Sequence, residues 1–111
     1  MDNNIYYEPE AFGLEIWREF DVSSRSYEFN AFVIWRRKEG GRLFYATDSG
    51  CSCPSPFENE RPSTLKPISE RTYETFKSDF ESFNNQEYIE RPVSADEKIR
   101  LFADVLREVK S

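Results

Sequence analysis

The period of the hydrophobic positions changes about two thirds of the way along the chain. Residues 12 to 21 place Leu14, Ile16 and Phe20 on one side and Glu15, Trp17 and Glu19 on the other, the period of two that a half-buried strand requires. After Ser23-Ser24-Arg25-Ser26, residues 27 to 36 are rich in aromatic and β-branched side chains, with Tyr27, Phe29, Ala31, Val33 and Trp35 facing one way and Phe32 and Ile34 the other. This is the strongest strand pattern in the chain. Glu39-Gly40-Gly41 supplies the positive φ of a tight turn, and residues 42 to 47, with Leu43-Phe44-Tyr45-Ala46-Thr47, read as its hairpin partner. Residues 48 to 67 then turn to Ser, Cys, Asn and four prolines (Pro54, Pro56, Pro62, Pro67), which forbid a helix interior or a regular ladder and predict one long connection. Beyond it the period becomes helical. Tyr73, Phe76, Phe80 and Phe83 predict a helix over 70 to 84 with Ser69 as N-cap, and the capping box Ser94-Ala95-Asp96-Glu97 opens a second over 95 to 109, with Ile99, Phe102, Ala103, Leu106 and Val109 inward.

A meander of three antiparallel strands followed by two amphipathic helices predicts an α+β two-layer sandwich, a single domain over residues 1 to 111. At this mass about two thirds of the chain's surface can be buried, so a core forms without disulfides or metals. The helices are placed on the face carrying Leu14, Ile16, Val33 and Trp35 or on its counterpart, a choice that alternation does not make. The other face, with Trp17, Phe32, Ile34 and Phe44, then needs a cover. Ile5-Tyr6-Tyr7 or the proline loop supplies one from within the chain; a protein partner or a second copy supplies one from outside.

Composition narrows the chemistry. The chain contains no histidine, which removes Ser-His and Cys-His nucleophile pairs and the commonest zinc ligand. Its four glycines form neither a Gly-x-Gly-x-x-Gly nor a Gly-x-x-x-x-Gly-Lys string, so no phosphate-cradling loop is expected. No apolar run is long enough to span a membrane, and Met1-Asp2-Asn3-Asn4 lacks the features of a signal peptide, so a cytoplasmic protein is expected. The net charge of -6 disfavours direct nucleic-acid binding. Acids concentrate early (Glu8, Glu10, Glu15, Glu19, Asp21), while Arg36-Arg37-Lys38 and Arg42 form a small basic spot read as the solvated tip of the hairpin.

The most unusual string is Asp48-Ser49-Gly50-Cys51-Ser52-Cys53-Pro54-Ser55-Pro56-Phe57-Glu58. Cys51 and Cys53 are weak candidates for a soft metal, which would need further ligands from carboxylates, water or another chain. A disulfide between them closes a very small, strained loop. Nucleophilic use of either thiol needs a nearby cation, since no imidazole exists. The structural reading is preferred: Asp48 and Ser49 bond back to turn amides, Gly50 is left-handed, the cysteines fill small buried sites and the prolines stiffen the exit. Together with Phe12-Gly13-Leu14-Glu15, this string resembles a family of small proteins from tailed phages of actinobacteria, mycobacteriophages among them. The resemblance covers residues 6 to 67 and does not extend to the helical half. It implies a phage accessory protein in the cytoplasm of an infected bacterium and no activity.

The expected function is therefore non-catalytic binding of a host or phage protein through Trp17, Phe32, Ile34, Pro54 and Phe57, with a homodimer as a further possibility for the same surface. No cofactor, membrane or direct nucleic-acid partner is expected. Two alternatives stand beside it: a metal- or thiol-dependent protein using Cys51 and Cys53 with Asp48 or Glu58, and an acidic inhibitor of a nucleic-acid-binding protein using Glu8, Glu10, Glu15, Glu19 and Asp21 as one surface.

Overall fold

A computed structural model of the chain describes residues 3 to 23, 28 to 51, 55 to 87 and 89 to 111. The architecture is α+β: strands β1 (Leu14–Asp21), β2 (Glu28–Arg37), β3 (Leu43–Cys51) and β4 (Lys66–Ile68), then helices α1 (Tyr73–Asn84) and α2 (Ala95–Lys110). The sheet is antiparallel in the order β1-β2-β3-β4, so the meander has four strands rather than three. The fourth overlaps the end of the stretch expected to be one connection. It is only Lys66-Pro67-Ile68, pairing with Tyr45, Phe44 and Leu43, and its proline is tolerated because the strand is at the sheet edge. β3 also runs further than its residues advertise. Asp48, Ser49 and Gly50 are poor strand formers, yet they stay in register opposite Ala31, Asn30 and Phe29 because β2 holds them there.

The ends of β1 and β2 follow local rules. Residues Pro9–Phe12 form a 3-10 turn closed by Gly13 at φ 74, which delays β1 to Leu14. The β2–β3 turn uses Gly40 at φ 92 and Gly41 at φ 74, the positive values that glycine adopts without a Cβ clash. Gly50, expected to be left-handed, is not; in that region it is Phe57 that holds a positive φ, of 58.

A β-bulge sits between Ile16 and Arg18 and changes the face assignment of β1. Before it, Leu14 and Ile16 pack with Val33, Trp35 and Phe44; after it, Trp17 and Phe20 pack with Phe32, Ile34 and the helices. An extra residue shifts every later side chain to the opposite face, so strict alternation across residues 12 to 21 is broken. The bulge also divides the early acids. Glu15 pairs with Arg36 at 3.5 Å, whereas Glu19 accepts a hydrogen bond from the Tyr6 hydroxyl on the side of Val33 and Trp35, so the expected continuous acidic surface does not form along β1.

The helices lie on the face of Phe32 and Ile34, the counterpart of the one carrying Val33 and Trp35. Phe76, Phe80 and Phe83 of α1 surround Phe32, with ring centroids at 5.9, 5.0 and 5.5 Å, and Leu101 and Val105 of α2 complete that cluster with Ile34, Leu43, Tyr45 and Ile68. The face carrying Ala31, Val33 and Trp35 is covered by the chain's own N-terminal segment and by residues 57 and 65: Ile5, Phe57 and Leu65 are buried there, and the Trp35 indole N–H donates to the Ile5 carbonyl at 3.0 Å. Strand β2 is apolar on both sides because it is sandwiched between these two layers. α1 starts three residues later than expected, after Ser69 and Thr72 bond to each other and Thr72 Oγ1 donates to the Pro67 carbonyl. α2 begins as expected, with Ser94 Oγ accepting from the Glu97 N–H at 3.2 Å. Its inward stripe is displaced in part: Phe102 and Val109 pack on the core as expected, but beside Leu101 and Val105, which are buried, while Ile99 and Ala103 face solvent.

Candidate functional site

β4 covers only the first third of the outer edge of β3, and this shortness opens a cleft beside the remainder. The Arg37 N–H donates to the Arg42 carbonyl at 2.8 Å. Alternation from that bond turns the backbone groups of even-numbered β3 residues toward β2 and those of odd-numbered residues outward. Leu43 and Tyr45 are paired by Ile68 and Lys66. Thr47 and Ser49 come next, and among the described residues no strand pairs with them. The Ser49 N–H is occupied by Asp48 Oδ1 at 2.9 Å, which leaves the Thr47 N–H and the Thr47 and Ser49 carbonyls facing outward.

Two walls flank this open edge. On the helix side stand Asp79, Ser82 and Phe83 of α1 and Gln86 just after it; on the other side stand Glu60 and Thr64, from the segment before β4, and Lys66, the first residue of β4. The cleft between them has a volume of about 590 Å³. Asn30 and Gln86 close one end through a side-chain hydrogen bond of 3.1 Å. At the other end Asp79 Oδ2 accepts from the Tyr45 hydroxyl at 2.6 Å and from Lys66 Nζ at 3.2 Å. Thr64 Oγ1 donates to Glu60 Oε1 at 2.6 Å. Three carboxylates (Asp48, Glu60, Asp79) against a single ammonium make the cleft acidic, so it favours a cationic group.

Burial, and then the hydrogen bond and charge of Asp79, push the Tyr45 phenol well above its ordinary range. Burial and Glu19 do the same to Tyr6. Both phenols therefore act as hydrogen-bond donors and not as bases at neutral pH. In the unfolded chain they ionise near pH 10, so the folded state holds protons that the unfolded state has lost, and stability falls as pH rises past that value. Denaturant titrations at pH 9 and at about pH 11 are expected to show this loss, and Tyr45→Phe is expected to reduce it; equal stability at the two pH values would refute it.

Asp48 is the pin of the unusual string. Its Oδ2 accepts the Phe57 N–H at 2.8 Å while its Oδ1 takes that of Ser49, so one carboxylate holds the edge of β3 and the left-handed Phe57 together. The Phe57 ring is thereby seated between Trp35, at 5.3 Å, and Tyr6, at 5.6 Å. Asp48→Ala is expected to cost about 1–3 kcal/mol in urea unfolding, because it orphans the N–H of a buried residue, whereas Asp48→Asn keeps one acceptor and costs less. This is the back-bonding expected of Asp48. Cys53 and Pro54 lie outside the described residues, and of Cys51 only the backbone is described.

Three of the other expected partner residues, Phe32, Ile34 and Phe57, are not where a partner could meet them. Phe32 and Ile34 are fully buried beneath the helices, because the helices chose that face, and Phe57 is 1% exposed beneath the N-terminal segment. Trp17 is half-buried at the rim of the helix core, with the Arg18 guanidinium 4.1 Å over its ring and Arg18 in turn 3.1 Å from Asp104. Glu58 lines a smaller cavity of about 220 Å³ beside Asp48. Among the described residues no group of three or more Cys, Asp or Glu side chains is close enough to hold a metal ion. Thr47, Lys66, Asp79 and Gln86 were not singled out by the sequence, since each belongs to a different element and only the fold brings them together. The one available signal was Pro67 within a short alternating segment, which marks an edge strand and with it a nearby strand end.

No curated protein and no solved structure matches the chain. A family described as a domain of unknown function, DUF7574, matches residues 3–111, a span that takes in the sheet, both helices and every residue of the cleft. By that near-complete match the chain belongs to the DUF7574 family.

Proposed function

We propose that the protein is a non-catalytic binding module whose open β3 edge takes up an extended segment of a partner protein as an additional strand. The observation that carries this reading is the Thr47 and Ser49 edge lying at the floor of a cleft with polar walls on both sides. Strand addition needs outward backbone donors and acceptors and room for the incoming side chains; Thr47 and Ser49 supply the first and the cleft of about 590 Å³ the second. Its acidic lining, with Asp79 and Glu60, favours a Lys or Arg in the incoming segment. The resemblance of residues 6 to 67 to actinobacteriophage proteins supports a host or phage protein as the partner. The partner site moves from Trp17, Phe32 and Ile34 to the sheet edge, because the helices already occupy the former.

Selection of a displayed library of random peptides on the purified protein tests the reading. Enriched peptides are expected to combine β-branched or aromatic residues at alternate positions with a basic residue. Enrichment of helical or proline-rich peptides, or none at all, would overturn strand addition.

A further inference from the structure

The outward face of α2 carries a feature that neither the core nor the cleft uses. Asp96, Ile99, Ala103, Leu106 and Lys110 follow one another at spacings of three, four, three and four residues, the seam of a two-helix coil, on the side of the helix away from Leu101 and Val105. Ile99 is 64% exposed, one of two large hydrophobic side chains so exposed among the described residues. Asp96 and Lys110 make no ion pair with any described residue, although the neighbouring Asp104 holds both Arg18 and Arg107.

The order of these residues is self-complementary. Ala103 is central, with Asp96 seven residues before it and Lys110 seven after, each about 10.5 Å along the axis. Ile99 stands four before and Leu106 three after, a mismatch of about 1.5 Å. Two copies of α2 laid antiparallel about a two-fold axis through Ala103 therefore set Asp96 against the partner's Lys110 twice and Ile99 against the partner's Leu106 twice. The small Ala103 side chains meet at the crossing point and allow close approach. A parallel pairing would set Asp96 on Asp96 and Lys110 on Lys110. Antiparallel helix dipoles favour the same arrangement.

From this pattern we infer that the protein self-associates through α2 as a two-fold, antiparallel dimer. One helix of 16 residues offers less than the roughly 1,200 Å² of a standard interface, so the dimer is reversible and concentration-dependent. It leaves the β3 edge free, since the cleft is lined by β2, β3, β4 and the segment before it, α1 and Gln86, and by no residue of α2.

Sedimentation equilibrium of the full chain at low salt, from micromolar to near-millimolar protein, tests it. The wild type is expected to shift from monomer to dimer across that range, and Ile99→Asp to remain monomeric while keeping a cooperative melt, since Ile99 is not part of the core. Asp96→Lys and Lys110→Asp are each expected to weaken dimerisation by about tenfold or more, and the double exchange to restore it. The double exchange opposes the helix dipole at both ends, so a purely structural effect would make it the worst of the three. A wild type that stays monomeric at every concentration, or a double exchange weaker than either single variant, overturns the inference.

Discussion

Replacing Phe32 by alanine is expected to remove about 3–5 kcal/mol of stability, the largest loss from any single truncation in the protein. Phe32 is fully buried on the central strand β2, where its ring stacks on Tyr45 at 5.3 Å and meets Phe76, Phe80 and Phe83 of α1. Four aromatic neighbours and the strand pairing with Phe20 and Thr47 leave little room for the site to collapse around a methyl group. A domain of this size is stabilised by about 5–15 kcal/mol in all, so the variant sits near the unfolding threshold. The melting temperature should fall by roughly 15 °C, at about 4 °C per kcal/mol. A loss under about 1 kcal/mol would mean that the helices do not pack on this face of the sheet.

The second large effect concerns binding and not folding. Thr47→Pro removes the one outward N–H at the floor of the cleft and puts a ring where an incoming strand would lie. The fold should tolerate it: proline is accepted on an edge where the N–H faces solvent, and Thr47 is exposed. Affinity for a selected peptide is expected to drop by at least about tenfold, from one lost backbone hydrogen bond and the steric block. Thr47→Val, which keeps the N–H, should bind as the wild type does. Isothermal titration of the three proteins, with thermal melts as a control for folding, separates the two effects. Equal binding by Thr47→Pro and wild type would place the partner elsewhere.

The class of the fold was legible in the sequence and the arrangement of its layers was not. The α+β order, the Gly40-Gly41 turn, the aromatic stripe of α1 and the Ser94 cap all follow from local rules that the structure obeys. The face that the helices cover was beyond those rules, because β2 is apolar on both sides and period-two logic cannot choose between Phe32 and Trp35. The bulge beside Trp17 carries no glycine or proline to announce it, and it reverses the second half of β1. α2 presents two apolar stripes, and the one through Ile99 and Ala103 is the one left outside. The cleft was hidden for a different reason. It exists because β4 begins only at Lys66, and where a three-residue edge strand starts depends on long-range pairing that composition does not encode.

Amide hydrogen exchange at Thr47, followed by NMR with and without a selected peptide, tests the central claim most directly. In the free protein this N–H faces solvent on an open edge and should exchange quickly, while that of Val33, within the β2 ladder, is protected. If the edge receives a partner strand, saturation with peptide slows exchange at Thr47 and shifts the resonances of Asn30, Thr47, Ser49 and Gln86 together. Unchanged exchange at Thr47 under saturating peptide would contradict strand addition at this edge.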